Sequence, residues 1–357
     1  MAYTSMTFEN KQTLTHDHMN NIISGIDELR AEKQPLTIDL NIPSGLKIAV
    51  LGASNSTKIN RNEVEITVEP EDVGVSLSAY ATYYDIGTTI GGYTIASSDV
   101  GTELTFIPTE SDIGKQIGKP NNYAGNNNVK TWWMHLEEQF NCEVIPVCWS
   151  GSGMSSHEES VDRYKCAHSW HDSQIRKCGI RTPGTMNRTA PDLIISWRTG
   201  NDVTHEPYCT ITENYFENVN WEYPETDLKE DGTYGYLEAL SLTIKKLRAA
   251  YPLTPIVLGG AVFIKRVDYD NFPCTNGIHN FPAYNAAIKK AADFFGVHTL
   301  DFDKVNITFE NIYPNYATDS SITPVHANNA GHALYAKQVI KDLVTKVGDL
   351  FDFNINQ

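Results

Sequence analysis

The sequence predicts an α/β protein: a parallel sheet of five strands covered by helices on both faces, with a small β-module inserted near its start. Three observations predict it. A buried-type strand, Ile48 to Leu51, stops abruptly at Gly52. Residues 60–118 then show no helical period and alternate polar with apolar. From Val129 onward, short apolar runs alternate with helix-period segments, the rhythm of a parallel sheet covered on both faces. Five strands in that rhythm suit a three-layer, flavodoxin-like sandwich.

Taken in order, the chain opens with a polar lead and "THDHMNNIISGIDELRAEK", where Met19, Ile22, Ile23, Ile26 and Leu29 fall at helical spacing. The single apolar stripe suits a helix packed on its own domain or an oligomerising or attachment stem. Residues 1–35 are therefore read as a leader, 36–59 with 119–357 as the α/β domain, and 60–118 as the insertion. The strand in "KIAVLGASNSTKI" ends just before Ser54, at the edge where open α/β sheets keep their sites. A turn-capping serine is the plainer reading of that residue.

The insertion reads "VEITVEP", "GVSLSAYATYY", "YTIAS" and "TELTFIP", with Asp-(Val/Ile)-Gly recurring at Asp72, Asp85, Asp99 and Asp112. Each recurrence is a turn between short strands. The expectation is an immunoglobulin-like β-sandwich placed in a loop of the main domain. Such a module shapes substrate access or serves as an assembly contact.

After the polar linker "KPNNYAGNNN" the elements are a helix in "VKTWWMHLEEQF" and a strand in "CEVIPVCWSGSG". Next come a strand in "PDLIISWRTGND" and a helix in "YGYLEALSLTIKKLRAAYP", with Leu237, Leu240, Ile244 and Leu247 on one face. A strand in "TPIVLGGAVF", a helix in "PAYNAAIKKAADFFG", a strand in "VHTLDF" and a closing helix from about Asn328 to Leu350 complete the chain.

Composition narrows the function. The net charge of -16 argues against nucleic acid or an anionic membrane surface as the main partner, since both need a basic footprint. No apolar run approaches membrane-spanning length. The opening "MAYTSMTFENKQ" lacks a secretory signal layout, so the chain is expected to accumulate in the cytoplasm during synthesis. Six cysteines in 357 residues do not suggest a disulfide scaffold, and Cys142 and Cys148 are read as reduced. Cys166, His168, His171 and Cys178 have zinc-ligand chemistry but match no common finger spacing. No metal and no organic cofactor is expected.

Four loops that follow strands carry reactive or conformationally special residues: Ser54, Gly151 in "WSGSG", Asn201 in "TGND" and His326 in "TPVHANNAGHALYA". In a parallel sheet these loops share one edge and can converge. In this order they resemble the blocks of the SGNH (GDSL-like) hydrolases, over about Ile48 to Leu350 less the insertion. "VLGASNS" is similar to the first block, with Ala53 where the family usually has aspartate. Gly151, with Gly153 as fallback, fits the second block. Thr199-Gly200-Asn201-Asp202 stands for the third, and the Gly331-His332 pair fits the ending of the last. The aspartate usual three residues before the histidine is Thr323 here, and Asp319 is the nearest acid to replace it.

The resemblance implies a serine esterase. His326 would take the proton of Ser54. The backbone N–H groups of Ser54 and Gly151, with the Asn201 amide, would hold the oxyanion. Trp149, Gly153, His157 and Asp202 are expected to line the substrate, with Glu158 beside them and Trp170 and Trp197 as further aromatics that are either stacking faces or core. The "LTHDHMNNI" leader resembles that of phage tail and baseplate-associated proteins. It points to a virion-tail or extracellular location, to tail proteins as partners, and to a homo-oligomer through the first helix. With no obvious apolar lid, the expected substrate is an O-acetylated polysaccharide or another small ester. The alternatives are a non-catalytic receptor-binding or structural tail protein and a short-chain lipolytic or thioester hydrolase.

Overall fold

The computed structural model describes residues 45–58, 61–121, 129–154, 162–202, 235–260, 281–307, 311–317 and 326–348. All of them belong to one compact unit, Ile42–Phe353. The leader helix, His157, Glu158, Asp319 and Thr323 lie outside the described residues.

Five strands form one sheet: β1 (Lys47–Gly52), β2 (Glu143–Cys148), β3 (Leu193–Trp197), β4 (Ile256–Gly259) and β5 (His298–Leu300). Their order is β5-β4-β3-β1-β2 and every pairing is parallel. This is the expected flavodoxin-like sheet. The chain steps outward from β1 in one direction and later in the other, so the strand order reverses between β1 and β3. Apart from Lys47, Glu143 and Ser196, β1–β4 are built of apolar residues, because both faces are covered.

Right-handed crossovers running in opposite directions put the helices on opposite faces. Helix α1 (Trp132–Phe140) lies on one side, and α2 (Tyr236–Ala250) and α3 (Phe281–Phe295) on the other. The last helix, α4 (Asn329–Asp342), packs against α1, while α2 packs against α3. The predicted stripe Leu237, Leu240, Ile244 and Leu247 is buried in full. Among the described residues no helix is long and apolar enough to cross a membrane.

The register decides where the site forms. Gly52 pairs with Trp197 on one side and Cys148 on the other, so β1, β2 and β3 all end on one rung. Whatever follows those three strands therefore starts level.

The insertion folds as the turn pattern requires, four times over. Each aspartate closes a short 3-10 turn by accepting the N–H three residues earlier. The distances are 2.9 Å from Glu69 to Asp72, 2.8 Å from Thr82 to Asp85, 2.7 Å from Ala96 to Asp99 and 2.8 Å from Thr109 to Asp112. Two residues on, Gly74, Gly87, Gly101 and Gly114 take φ of 79°, 83°, 84° and 83°, where a Cβ would clash with the backbone. The strands between the turns are short. Ile66–Thr67 pairs with Gln116–Ile117, Leu77–Tyr80 with Glu103–Phe106, and Thr89–Ile90 with Tyr93–Thr94, each antiparallel and each nested in the last. The described residues thus give three two-stranded ladders around Val68, Leu77, Ile90, Ile95 and Phe106, not the two larger sheets of an immunoglobulin-like sandwich. The turns recur too soon for longer strands.

Buried charge fastens this module to residues 173–188. The Asp72 carboxylate accepts two bonds from Arg181, Nη1 to Oδ1 at 2.8 Å and Nη2 to Oδ2 at 2.6 Å, and a third from the Gly184 N–H at 2.7 Å. Glu65 accepts from Ser173 Oγ at 2.6 Å and pairs with Arg176 at 3.1 Å. Burial alone would raise the Asp72 carboxyl, but the bonds from Arg181, Glu69 and Gly184 hold it below the ordinary carboxylate range.

Removing one partner of such a pair strands the other charge. Asp72→Ala is expected to lower unfolding free energy by about 3–5 kcal/mol, read by urea titration at neutral pH. The sign with pH follows from the lowered value. The contribution is complete above about pH 4, near the unfolded carboxylate pKa. It fades as pH falls through the folded value, so the wild-type and Asp72→Ala curves should converge in acid.

Candidate active site

Past Gly52 the chain turns back over its own strand. Ser54–Ser56 form one 3-10 turn, closed by Ser56 N–H to Ala53 O at 2.8 Å and Thr57 N–H to Ser54 O at 3.2 Å. Two indoles of α1 clamp it: Trp132 Nε1 donates to Ser56 Oγ at 2.9 Å and Trp133 Nε1 to the Ser56 carbonyl at 2.7 Å. Ser56 holds the turn to the helix, and Ser54 lies at the sheet edge, largely buried at 8% exposed. The turn fits only because residue 52 is glycine. A Cβ there would stand 2.4 Å from Ser56 Cβ and 2.9 Å from Cys148 Sγ.

The second loop starts on the next rung. Trp149 N–H donates to Gly52 O at 2.9 Å, extending the sheet by one bond. Ser150 and Asn121 exchange bonds, N–H to Asn121 O and Asn121 Nδ2 to Ser150 O, both at 3.1 Å. Gly151 has φ of 84°, and a Cβ on it would meet Tyr164 Oη at 2.5 Å, so glycine is required twice over. Gly153 is buried behind this turn.

The third loop is a short helix, Thr199–Asp202. Arg198 before it is fully buried and donates to the carbonyls of Ala167 and Val147 and to Gln174. Burial lowers its guanidinium only to about 10, so it stays charged. From that anchor Asn201 Nδ2 donates to Ser152 O at 2.6 Å, which fixes the amide against the glycine loop. Asp202 is buried and accepts the Met154 N–H at 2.7 Å. Its carboxylate thus ties the second and third loops together.

The fourth loop arrives from the far end of the chain. The Ala327 N–H, next to His326, donates to Asn55 Oδ1 at 3.0 Å. That bond joins the serine loop to the histidine loop across the whole sequence. Asn328 caps α4, accepting from Ala330 and Gly331 N–H at 2.9 and 3.0 Å. Asn55 and Asn121 were not singled out by the sequence. Only their position beside Ser54 and in the polar linker hinted at them.

One expectation changes here. Trp149 is fully buried, packed edge-on with Tyr84 at 5.9 Å and under the Lys177 ammonium at 5.8 Å, so its ring is core and not a stacking face for substrate. Trp197 is likewise core, stacked on Phe302 at 4.0 Å. The Cys166–Cys178 segment is absorbed by packing. His171 caps the Asp172–Lys177 helix, His168 stacks on Trp170, and burial pushes the thiols of Cys166 and Cys178 up to about 12. Among the described residues no three His, Cys, Asp or Glu side chains are placed to hold a metal ion.

His332 is buried behind the histidine loop, and neither ring nitrogen has a hydrogen-bond partner. Burial, with His135, His326 and Lys58 opposing a further positive charge, lowers it to about 3. It is a neutral ring in the folded protein.

No family model matches the sequence, and no curated protein matches it. Solved structures do show likenesses. A Bacteroides ovatus protein assigned as a GDSL-like lipase has 12% identity and a TM-score of 0.42 over 84% of this chain and 97% of that one. A carbohydrate esterase family 2 enzyme with a carbohydrate-binding domain, from Corynascus thermopiles (Myceliophthora fergusii), has 14% identity and a TM-score of 0.41 over 86% and 68%. A catalytic mutant of an acetylxylan esterase from Geobacillus stearothermophilus has 15% identity and a TM-score of 0.39 over 85% and 96%. Likenesses this distant assign no activity to this chain.

Two measurements check the site. Asn55→Ala removes the bond that joins the two loops. Hydrogen bonds of this kind contribute about 0.5–1.5 kcal/mol, so the fold should survive with a slightly lower melting temperature. Exchange of the Ala327 amide hydrogen, read by NMR, should speed up by up to about tenfold once its acceptor is gone. For His332, the unfolded ring takes up a proton below about pH 6.5 while the folded one stays neutral down to about 3. Its stabilising contribution is complete above the first value and is lost as pH falls toward the second. The expected loss is roughly 2 kcal/mol between about pH 7 and pH 5, measured by urea unfolding, and His332→Leu should show a correspondingly shallower fall.

Proposed function

We propose that the protein is a serine ester hydrolase of the SGNH type, acting on O-acetyl groups of a polysaccharide. One observation supports this above the others. The Asn55–Ala327 bond brings the serine and histidine loops into contact on the same sheet edge that carries Gly151 and Asn201.

In this reading Ser54 Oγ attacks the ester carbonyl while His326 accepts its proton. The carbonyl oxygen becomes an oxyanion held by the N–H of Ser54, the N–H of Gly151 and the Asn201 amide. The tetrahedral intermediate expels the sugar alcohol, which takes the proton from His326, and leaves an acetyl-serine. Water, deprotonated by His326, then attacks the acetyl carbon; the bond to Ser54 Oγ breaks, Oγ takes the proton back from His326, and acetic acid leaves as acetate after losing its proton to solvent. Asp202 does not touch substrate in this scheme: its carboxylate is committed to Met154 N–H and sets the spacing between the two oxyanion loops.

The test is p-nitrophenyl acetate turnover by the intact protein beside Ser54→Ala and Asn201→Ala. Ser54→Ala should abolish turnover and labelling by a fluorophosphonate probe. Asn201→Ala should lower kcat by about 10²–10³, the loss typical of one oxyanion donor, roughly 2.7–4 kcal/mol. Lengthening the acyl chain beyond propionyl should reduce kcat/KM steeply, and a rise instead would favour a lipolytic enzyme. An unmodified Ser54 and no turnover would leave the esterase reading without support and favour a binding protein.

A further inference from the structure

The four turns of the inserted module serve as an internal comparison. The fold needs the aspartate and the glycine of each copy. The two residues before the aspartate form the body of the turn. They are Pro70-Glu71, Ser97-Ser98 and Glu110-Ser111 in three copies, but Tyr83-Tyr84 in the second. That copy is the one linked to Gly151 by a chain of packed rings. Its turn packs against Asp162–Tyr164. Tyr84 packs against Trp149, Tyr164 and Ala167. Tyr164 Oη in turn abuts Gly151, the proposed oxyanion donor, at 2.5 Å from the position of a Cβ. Tyr83 meets Tyr84 edge-on at 5.5 Å and is 48% exposed.

The turn is a rigid support. The Asp85 carboxylate is buried and accepts from Thr82 N–H at 2.8 Å, Thr82 Oγ1 at 3.0 Å, Gly118 N–H at 2.8 Å and Lys119 N–H at 3.3 Å. An exposed tyrosine on a locked turn offers a flat apolar face and a polar tip at little cost in side-chain freedom. Those are the features that recognise an uncharged sugar ring, with C–H groups on its face and hydroxyls at its rim.

We infer that Tyr83, backed by Tyr84, is a glycan-binding shelf contributed by the inserted module, on which a sugar ring of the polysaccharide rests while its acetyl group reaches Ser54. This rests on the esterase reading for the identity of the substrate, but binding can be measured without it.

The experiment compares wild type, Tyr83→Ala and Tyr83→Phe. The readout is the ratio of kcat/KM for oligosaccharide fragments of acetylated xylan, glucomannan and pectin to kcat/KM for p-nitrophenyl acetate, which carries no sugar. Tyr83→Ala should lower the ratio by about 5- to 10-fold through KM, and Tyr83→Phe, which keeps the ring, should restore most of it. An unchanged ratio overturns the inference. If wild type hydrolyses no ester, the esterase reading falls, and calorimetric titration with the same fragments decides the shelf. Binding that weakens in Tyr83→Ala upholds it. A wild-type protein that neither cleaves nor binds any fragment overturns it. So does a Tyr83→Ala protein whose only change is its oligomeric state, which would make this face a protein contact.

Discussion

The site depends on one missing side chain. Gly52 ends the central strand on the same rung as Cys148 and Trp197, and the next four residues fold back over it. Ser56 Cβ sits where a Cβ of residue 52 would be. Any side chain at 52 would push the turn off the strand, off the Trp132 and Trp133 clamp, and away from the glycine loop that starts beside it. Because the three strands end level, one such turn is enough to put Ser54, Gly151 and Asn201 at one edge. The Asn55–Ala327 bond joins the fourth loop to them. Sheet register thus sets the geometry, and hydrogen bonds between loops refine it.

The inserted module is part of this body and not a loosely tethered appendage. Its seam with residues 173–188 is made of buried charges: Asp72 with Arg181, Glu65 with Arg176, and Lys177 Nζ on the Gly118 carbonyl at 2.6 Å. Burying a charge costs several kcal/mol unless its partner is well placed. An apolar seam could slide, but this one is satisfied in a single arrangement. The Tyr83–Tyr84 turn is held against Trp149 and Tyr164 by a module docked in this way.

The sheet, its order of elements and its helical stripes were legible in the sequence because burial on two faces leaves uninterrupted apolar runs, and Leu237 to Leu247 repeat at helical spacing. The turns of the module were legible because Asp and Gly supply turn chemistry locally. Its strand pairing was not, since two-residue strands carry no period from which a partner can be read. Ser54, Gly151, Asn201 and His326 could be nominated as candidates by their order along the chain. What they bond to could not. Asn55 reaches Ala327 across almost the whole chain, and Asn121 lies in a stretch that reads as a linker. Trp149 shows the opposite failure. An aromatic next to a site glycine looks like a contact for substrate, and only the packing of Tyr84 and Tyr164 around it shows that it is core.

Those cases share a criterion for separating function from fold in a single chain. Ser56 is tied to α1 twice, its hydroxyl accepting from Trp132 and its carbonyl from Trp133, which accounts for a serine at that position by the fold alone. The four Asp-Gly turns are equivalent in backbone and differ in the pair before the aspartate, so the fold does not dictate that pair. Where such a position carries an expensive side chain, the cause has to be sought outside the turn. Pro70-Glu71, Ser97-Ser98 and Glu110-Ser111 are what a turn of this kind accepts at the surface. Two adjacent tyrosines, one of them half-exposed, are not required by the Asp85 cap, the glycine after it or the ladder it joins. One of them packs on Trp149 and Tyr164, next to Gly151, and the other keeps half of its ring in solvent on a turn fixed by a buried carboxylate, which is the placement the proposed glycan shelf needs.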